Sequence, residues 1–179
     1  MKSKFKDMIF VKGGKYTPCF TDDEKEVFDL EVCRYQTTQK MWLEVMENNP
    51  SKFKWIYKPI DTVTWWQALE FCNKLSEKYN LEPVYDLSKK RILMINQLGE
   101  EKVSPDIVDF KKTEGFRLPT EIEWEWCFNK NESTKKNNYR RIKGWSWFSE
   151  ASWCSISPRF YYNSIYSCSD KGFRIVRTI

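Results

Sequence analysis

Hydrophobic periodicity in this sequence comes only in short pieces, and that limits the chain to a fold with small elements and long connections. The clearest piece is "DTVTWWQALEFCNKLSEKYN". Thr64 can cap a helix there, Gln67 completes a capping box three residues on, and Ala68, Phe71, Cys72, Leu75 and Tyr79 share an apolar face. Cys72 is then a core residue. The same start signal stands in "LPTEIEWEWCF", with Thr120 and Glu123 as the box, Pro119 before it, and Trp124, Cys127 and Phe128 at helical spacing. A shorter helix is expected in "TTQKMWLEVMENNP", from Thr37 or Thr38, with Trp42, Val45 and Met46 on one face and a stop before Pro50.

Strands are expected in "MIFVKGGKY" with a turn at Gly13-Gly14, in "VFDLEVCRY" with Phe28, Leu30 and Val32 alternating inward, in "RILMIN", and in the terminal "GFRIVRTI". In that last strand Phe173, Ile175 and Ile179 point to the core, and Arg174 and Arg177 elsewhere. Residues 81–115 are mixed in pattern, and "NKNESTKKNNYRR" is polar enough for a surface loop. The expected class is α+β, one domain over residues 1–179, with short helices around small antiparallel sheets and much irregular loop. With 179 residues, 41% of them hydrophobic, such a domain can bury a real core.

Charge and cysteine usage exclude several functions. The net charge of +5 is spread along the chain without a block of one sign, which disfavours a nucleic-acid partner. The apolar run at the N-terminus, Met8 to Val11, is too short for a secretory core or a membrane span. The expectation is a cytoplasmic chain as encoded, without membrane insertion. Cys19, Cys33, Cys72, Cys127, Cys154 and Cys168 lie far apart with no C-x-x-C pair, and there is no histidine, so neither a thiolate zinc cluster nor imidazole chemistry is expected.

In order, "MIFVKGG", "LEVCRYQTTQKMWLEVMENNPSKF", "PIDTVTWWQALEFCNKLSEKYNLEPVY", "GFRLPTEIEWEWC" and "GFRIVR" resemble the formylglycine-generating enzyme (sulfatase-modifying factor) family. The resemblance implies a C-type-lectin-like fold. Scaffold does not establish activity. Glu121 and Glu123 fall in a first helical turn, where carboxylates favour the dipole and the cap, so their expected role is structural. Trp65 and Trp124 read as core; Trp66 and Trp126 stay open between core and ligand platform.

The resemblance also implies a test for catalysis. Members that oxidise a client cysteine to formylglycine hold copper between two cysteines in a C-x-x-x-x-C arrangement, and copper(I) favours soft thiolates. Here Cys154 falls near one ligand, but Arg159 stands where the second would be, and Cys168 is a distant substitute. Copper is disfavoured. Iron bound through histidines, as in a related branch, is excluded by composition. No cofactor is expected, and a loop calcium stays open. The alternative to a binding protein is a copper-dependent oxidase of this type or a noncatalytic relative of it.

The stretch "CSISPRFYYNSIYSCSD", Cys154 to Asp170, lacks lysine, glutamate, glutamine, methionine and tryptophan, which are abundant elsewhere. All its residue types are encoded by codons ending in C, the alphabet that results when adenines of AAC codons are randomised. In this the chain resembles variable proteins of diversity-generating retroelements, which carry a lectin-like fold finishing in "GFR". That resemblance implies a hypervariable ligand-binding region over 145–170. Arg159, Phe160, Tyr161, Tyr162 and Tyr166 are the expected anchors, since tyrosine offers large amphipathic contact at low entropic cost. Ser155, Ser157, Asn163, Ser164, Ser167 and Ser169 would add adaptable hydrogen bonds, and Trp145 and Trp147 would line the same surface from a preceding strand. The competing reading is a serine-rich loop with its aromatics tucked beneath. The expected partner is a protein ligand or cell-surface receptor, with display on a cell or virion surface through a partner.

Overall fold

A computed structural model of the chain describes residues 5, 7–19, 21–87, 114–131, 167, 169 and 172–179, with the backbone alone for 128–131. Strand β1 (Met8–Val11) pairs antiparallel with β4 (Leu30–Cys33), and β2 (Gly14–Tyr16) pairs with β3 (Lys25–Val27). The register continues from Val11 opposite Leu30 to Gly14 opposite Val27, so the four strands are one long hairpin broken at its middle. The break explains Gly13. A Cβ there would lie 2.2 Å from the Val27 carbonyl oxygen, and the Gly13 N–H donates to Asp29 Oδ1 at 2.8 Å. Gly13-Gly14 is therefore not the hairpin turn expected from the sequence but a point where two backbones nearly touch. Phe28, expected to alternate inward, falls in the break and is only half-buried.

On the far side of β4 lies β5 (Val176–Thr178), giving a three-stranded sheet of order β1-β4-β5. All four residues of β4 are buried, because both faces of this sheet are covered. On one face Leu30 and Val32 join Val27, Trp126 and Val176; on the other, Cys33 joins Met8, Ile175 and the helices. Glu31 is buried on that second face because its register partner is Arg177. The expectation that Arg177 points away from the core fails for this reason. Ile179 was expected inside and is 52% exposed, one residue past the end of pairing.

Helix α1 (Gln39–Leu43) is capped by Thr38, whose hydroxyl accepts from Met41 N–H at 3.2 Å. It ends well before Pro50. Trp42 is fully buried, stacked on Phe71 with ring centres 5.3 Å apart, and its indole N–H donates to the Asn48 carbonyl at 2.7 Å. Phe71 belongs to α2 (Trp65–Lys78), whose capping box is complete: Gln67 N–H donates to the Thr64 hydroxyl, and Thr64 N–H donates to Gln67 Oε1 at 2.8 Å. Ala68, Phe71, Cys72 and Leu75 are buried as their spacing predicts. Tyr79 lies at the C-cap instead, half-open, its ring meeting Phe5 edge-on. Trp65 and Trp66 are both half-buried and both pack on the larger core.

Helix α3 (Glu121–Asn131) also opens on a reciprocal box, with Glu123 N–H donating to the Thr120 hydroxyl and Thr120 N–H donating to Glu123 Oε2. It carries the backbone of Asn129, Lys130 and Asn131 as helix, where a loop was expected. Among its described side chains Glu123, Glu125 and Trp126 are buried and Trp124 is half-buried, so Trp126, left open by the sequence, is core, and Trp124, expected in the core, is only partly enclosed. The buried carboxylates have partners, so this helix docks through a stripe that apolar periodicity does not mark. "RILMIN" and the rest of the polar stretch to Arg141 lie outside the described residues. Among the described residues no helix is long and apolar enough to cross a membrane.

The close approach at the hairpin break yields a stability prediction. Gly13→Ala should lower unfolding free energy by about 1–3 kcal/mol through forced backbone separation, read from urea denaturation followed by tryptophan fluorescence.

Candidate functional site

The described residues show how the C-terminal region is anchored. Of the expected ligand-binding residues, Ser167 is exposed and Ser169 half-buried. Trp145, Trp147, Ser155, Ser157, Arg159, Phe160, Tyr161, Tyr162, Asn163, Ser164 and Tyr166 lie outside the described residues.

Immediately after them the chain is gripped at successive positions. Gly172 runs so close to the Ile60 carbonyl that a Cβ would lie 2.8 Å from its oxygen. Phe173 sets its ring edge-on to both Trp42 and Phe71, and its carbonyl accepts from Thr37 N–H at 2.8 Å. The Ile175 carbonyl accepts from Cys33 N–H at 3.0 Å. Val176 then exchanges two 2.8 Å backbone bonds with Arg117 while β5 pairs with β4 on its other edge. Arg174 stays exposed, as expected.

Two buried arginines lock this arrangement. Arg117, 1% exposed, makes a bidentate pair with Glu123 at 2.6 and 2.7 Å and donates to the Thr178 hydroxyl at 2.9 Å. Glu123 Oε2 therefore serves the helix cap and the ion pair together. Burial pushes the Glu123 carboxyl upward, but the Arg117 hydrogen bonds and charge, with Thr120, outweigh it and hold it below the ordinary carboxylate value. Glu123 is structural, as its position in the first turn predicts. Arg177 bonds Glu31 at 3.1 Å and Glu114 at 3.0 Å and lies over the Phe5 ring. Sequence reasoning passed over Arg117, although the acid three residues past Thr120 was visible.

Cys33, Cys72 and Cys127 are held as protonated thiols. Burial pushes the thiols of Cys33 and Cys72 upward, and burial with the Glu123 charge takes Cys127 to about 11. Cys19 is exposed, and its thiol donates to Glu125 at 3.2 Å. In the sequence an arginine, Arg159, stands five residues after Cys154, and both lie outside the described residues.

With this geometry in view, comparison with known proteins decides the family. The sulfatase-modifying factor enzyme 1-like domain matches residues 1–128. The chain belongs to that family. Chaperone protein LppX of Paenibacillus barcinonensis is 32% identical over 136 residues, which are 74% of this chain and 49% of that protein, so the chain spans about half the length of this curated relative. Treponema denticola variable protein 1 superposes with a TM-score of 0.67 at 24% identity, covering 96% of this chain and 95% of that one. The crystal structure of CarF gives a TM-score of 0.62 at 18% identity, with 97% and 98% covered. At these identities the two structures share the fold of this member of the sulfatase-modifying factor family.

Another surface escaped sequence reasoning, which read "NPSKF" only as a turn. Phe53, Trp55, Ile56 and Tyr57 stand exposed in succession after it. The signal was present in "FKWIYK", apolar residues interleaved with lysines and with no buried face.

The lowered carboxyl of Glu123 stabilises the fold above the unfolded-state pKa, and this contribution is lost as pH falls through the folded-state value. Glu123→Gln should cost about 3 kcal/mol at neutral pH by stranding the Arg117 charge, and should flatten the acid limb of stability measured by urea melts between neutrality and the carboxylate range.

Proposed function

We propose that this chain is a noncatalytic, ligand-binding member of its family, displaying a hypervariable surface over residues 145–170 on a single C-type-lectin-like domain, as variable proteins of diversity-generating retroelements do. The observation that carries this reading is the placement of the grip. Gly172, Phe173 and β5 are fixed by Ile60, Thr37, Cys33 and Arg117, none of which belongs to the restricted-alphabet segment. A frame closed by residues outside the segment tolerates any side chains within it.

The codon-limited alphabet of 154–170 and the fold shared with Treponema denticola variable protein 1 support the same reading. Tyr161, Tyr162 and Tyr166 supply rigid contact area, with Arg159 and Phe160 as further anchors and the serines and Asn163 adapting to each partner. A protein or cell-surface receptor is the proposed ligand class. The relative named as a chaperone is in keeping with a protein ligand. Oxidation of a client cysteine through copper is not supported, because the paired thiolates are missing.

The test replaces Tyr161, Tyr162 and Tyr166 together by serine. Thermal melting should stay within experimental error of the native chain, and the flanking DNA should contain a reverse transcriptase and a near-copy of the 3′ coding end with adenines at the mismatches. A collapse of the melting temperature would place the tyrosines in the core and refute the display surface; absence of the near-copy would refute diversification.

A further inference from the structure

The segment between Pro50 and Pro59 holds out what a folded chain ordinarily hides. Phe53, Trp55, Ile56 and Tyr57 are 58%, 62%, 46% and 68% exposed, a contiguous run of large apolar side chains. The backbone beneath them is fixed by Gln39, which is fully buried. Its Nε2 donates to the Phe53 carbonyl at 2.9 Å, and its Oε1 accepts from Trp55 N–H at 3.0 Å and from Asn49 Nδ2 at 2.8 Å. The carbonyls of Ile56 and Lys58 accept from the Lys40 and Gln39 N–H groups at 2.7 and 2.9 Å. A loop held this way presents its side chains without paying to order its backbone on binding.

Charge is interleaved with the rings. Lys52 lies over Phe53 at 5.6 Å, Lys58 over Trp55 at 5.8 Å and Lys40 over Tyr57 at 5.9 Å, while the Lys54 ammonium donates to the Asn49 carbonyl. None of these four lysines forms an ion pair among the described residues.

We propose that Lys40 and the loop from Lys52 to Lys58 form a docking surface, built without residues 145–170, for an acidic segment of a partner protein in which carboxylates alternate with apolar residues. The uncompensated lysines supply the charge complementarity, and the exposed tryptophan and tyrosine are of the types that dominate binding energy. A lipid surface fits less well. Three of the ammonium groups lie over the faces of the rings, at 5.6, 5.8 and 5.9 Å from their centres, so sinking a ring among acyl chains would bring its charge with it, whereas membrane-binding faces keep the two apart. Stacked bases also fit less well, since an ammonium already lies over each of the three rings and Ile56 offers no platform.

The experiment uses the full chain and fluorescently labelled short peptides, one alternating glutamate with leucine and alanine, the other with lysine in place of glutamate. Anisotropy should show saturable binding of the glutamate peptide alone. Trp55→Ala with Tyr57→Ala should weaken it about tenfold or more, and Lys52→Glu with Lys58→Glu should remove it, with melting temperatures preserved because the loop's bonds to Gln39 and Lys40 at these positions are made by its backbone. The proposal is overturned by no saturable binding, by equal binding of the lysine peptide, by unaffected variants, or by tighter binding to oligothymidylate or phosphatidylserine vesicles. Serine at Tyr161, Tyr162 and Tyr166 should leave peptide binding unchanged; an equal loss would assign the peptide to the C-terminal face and overturn the separate surface.

Discussion

The fork between Arg117 and Glu123 holds together parts of the chain that local structure cannot join. One carboxylate caps α3, neutralises a guanidinium buried beside it, and through that guanidinium reaches Thr178 in the last strand. The backbone of Arg117 meanwhile brackets Val176. A buried ion pair adds little net stability compared with apolar residues of the same shape, since desolvating two charges offsets most of their attraction. Its consequence here is geometric. A bidentate fork is satisfied in one arrangement only, and that arrangement sets where the terminal strand lies relative to α3.

Around this pair the sheet divides the interior. The face bearing Leu30, Val32 and Val176 is closed by Trp126 of α3, and the face bearing Cys33 and Ile175 is closed by Trp42, Phe71 and Phe116. Several polar side chains buried in this interior meet a partner there: Glu31 opposite Arg177, Asn73 bonded twice to the Tyr85 backbone, and Ser76 Oγ accepting from Phe116 N–H. Such a frame resists substitution inside and tolerates it at loops outside. The same fold is found in Treponema denticola variable protein 1.

Local signals were legible and global ones were not. Both capping boxes could be read directly and the α1 cap to within Thr37 or Thr38, since a cap is a contact between residues three apart and needs nothing from the rest of the chain. That Trp126 is buried and Trp124 only half-buried could not, because the docking stripe of α3 runs through Glu123, whose burial depends on an arginine from another segment. Gly13 looked like a turn because paired glycines usually make one, and only the continuous register revealed a strand break. Arg177 was expected to point away from the core because a charge ordinarily faces water, and the exposure of Phe53, Trp55, Ile56 and Tyr57 became visible only in the folded chain.

The amino-acid order alone determined the helix starts, the core stripe of α2, the family, and the unusual alphabet near the C-terminus, all of which depend on neighbours along the chain or on residue identity. Tertiary structure decided which carboxylates are buried, which arginine reaches which strand, and which aromatics remain in water. Those outcomes depend on distances between segments far apart in sequence, where one partner's position sets the cost of burying the other.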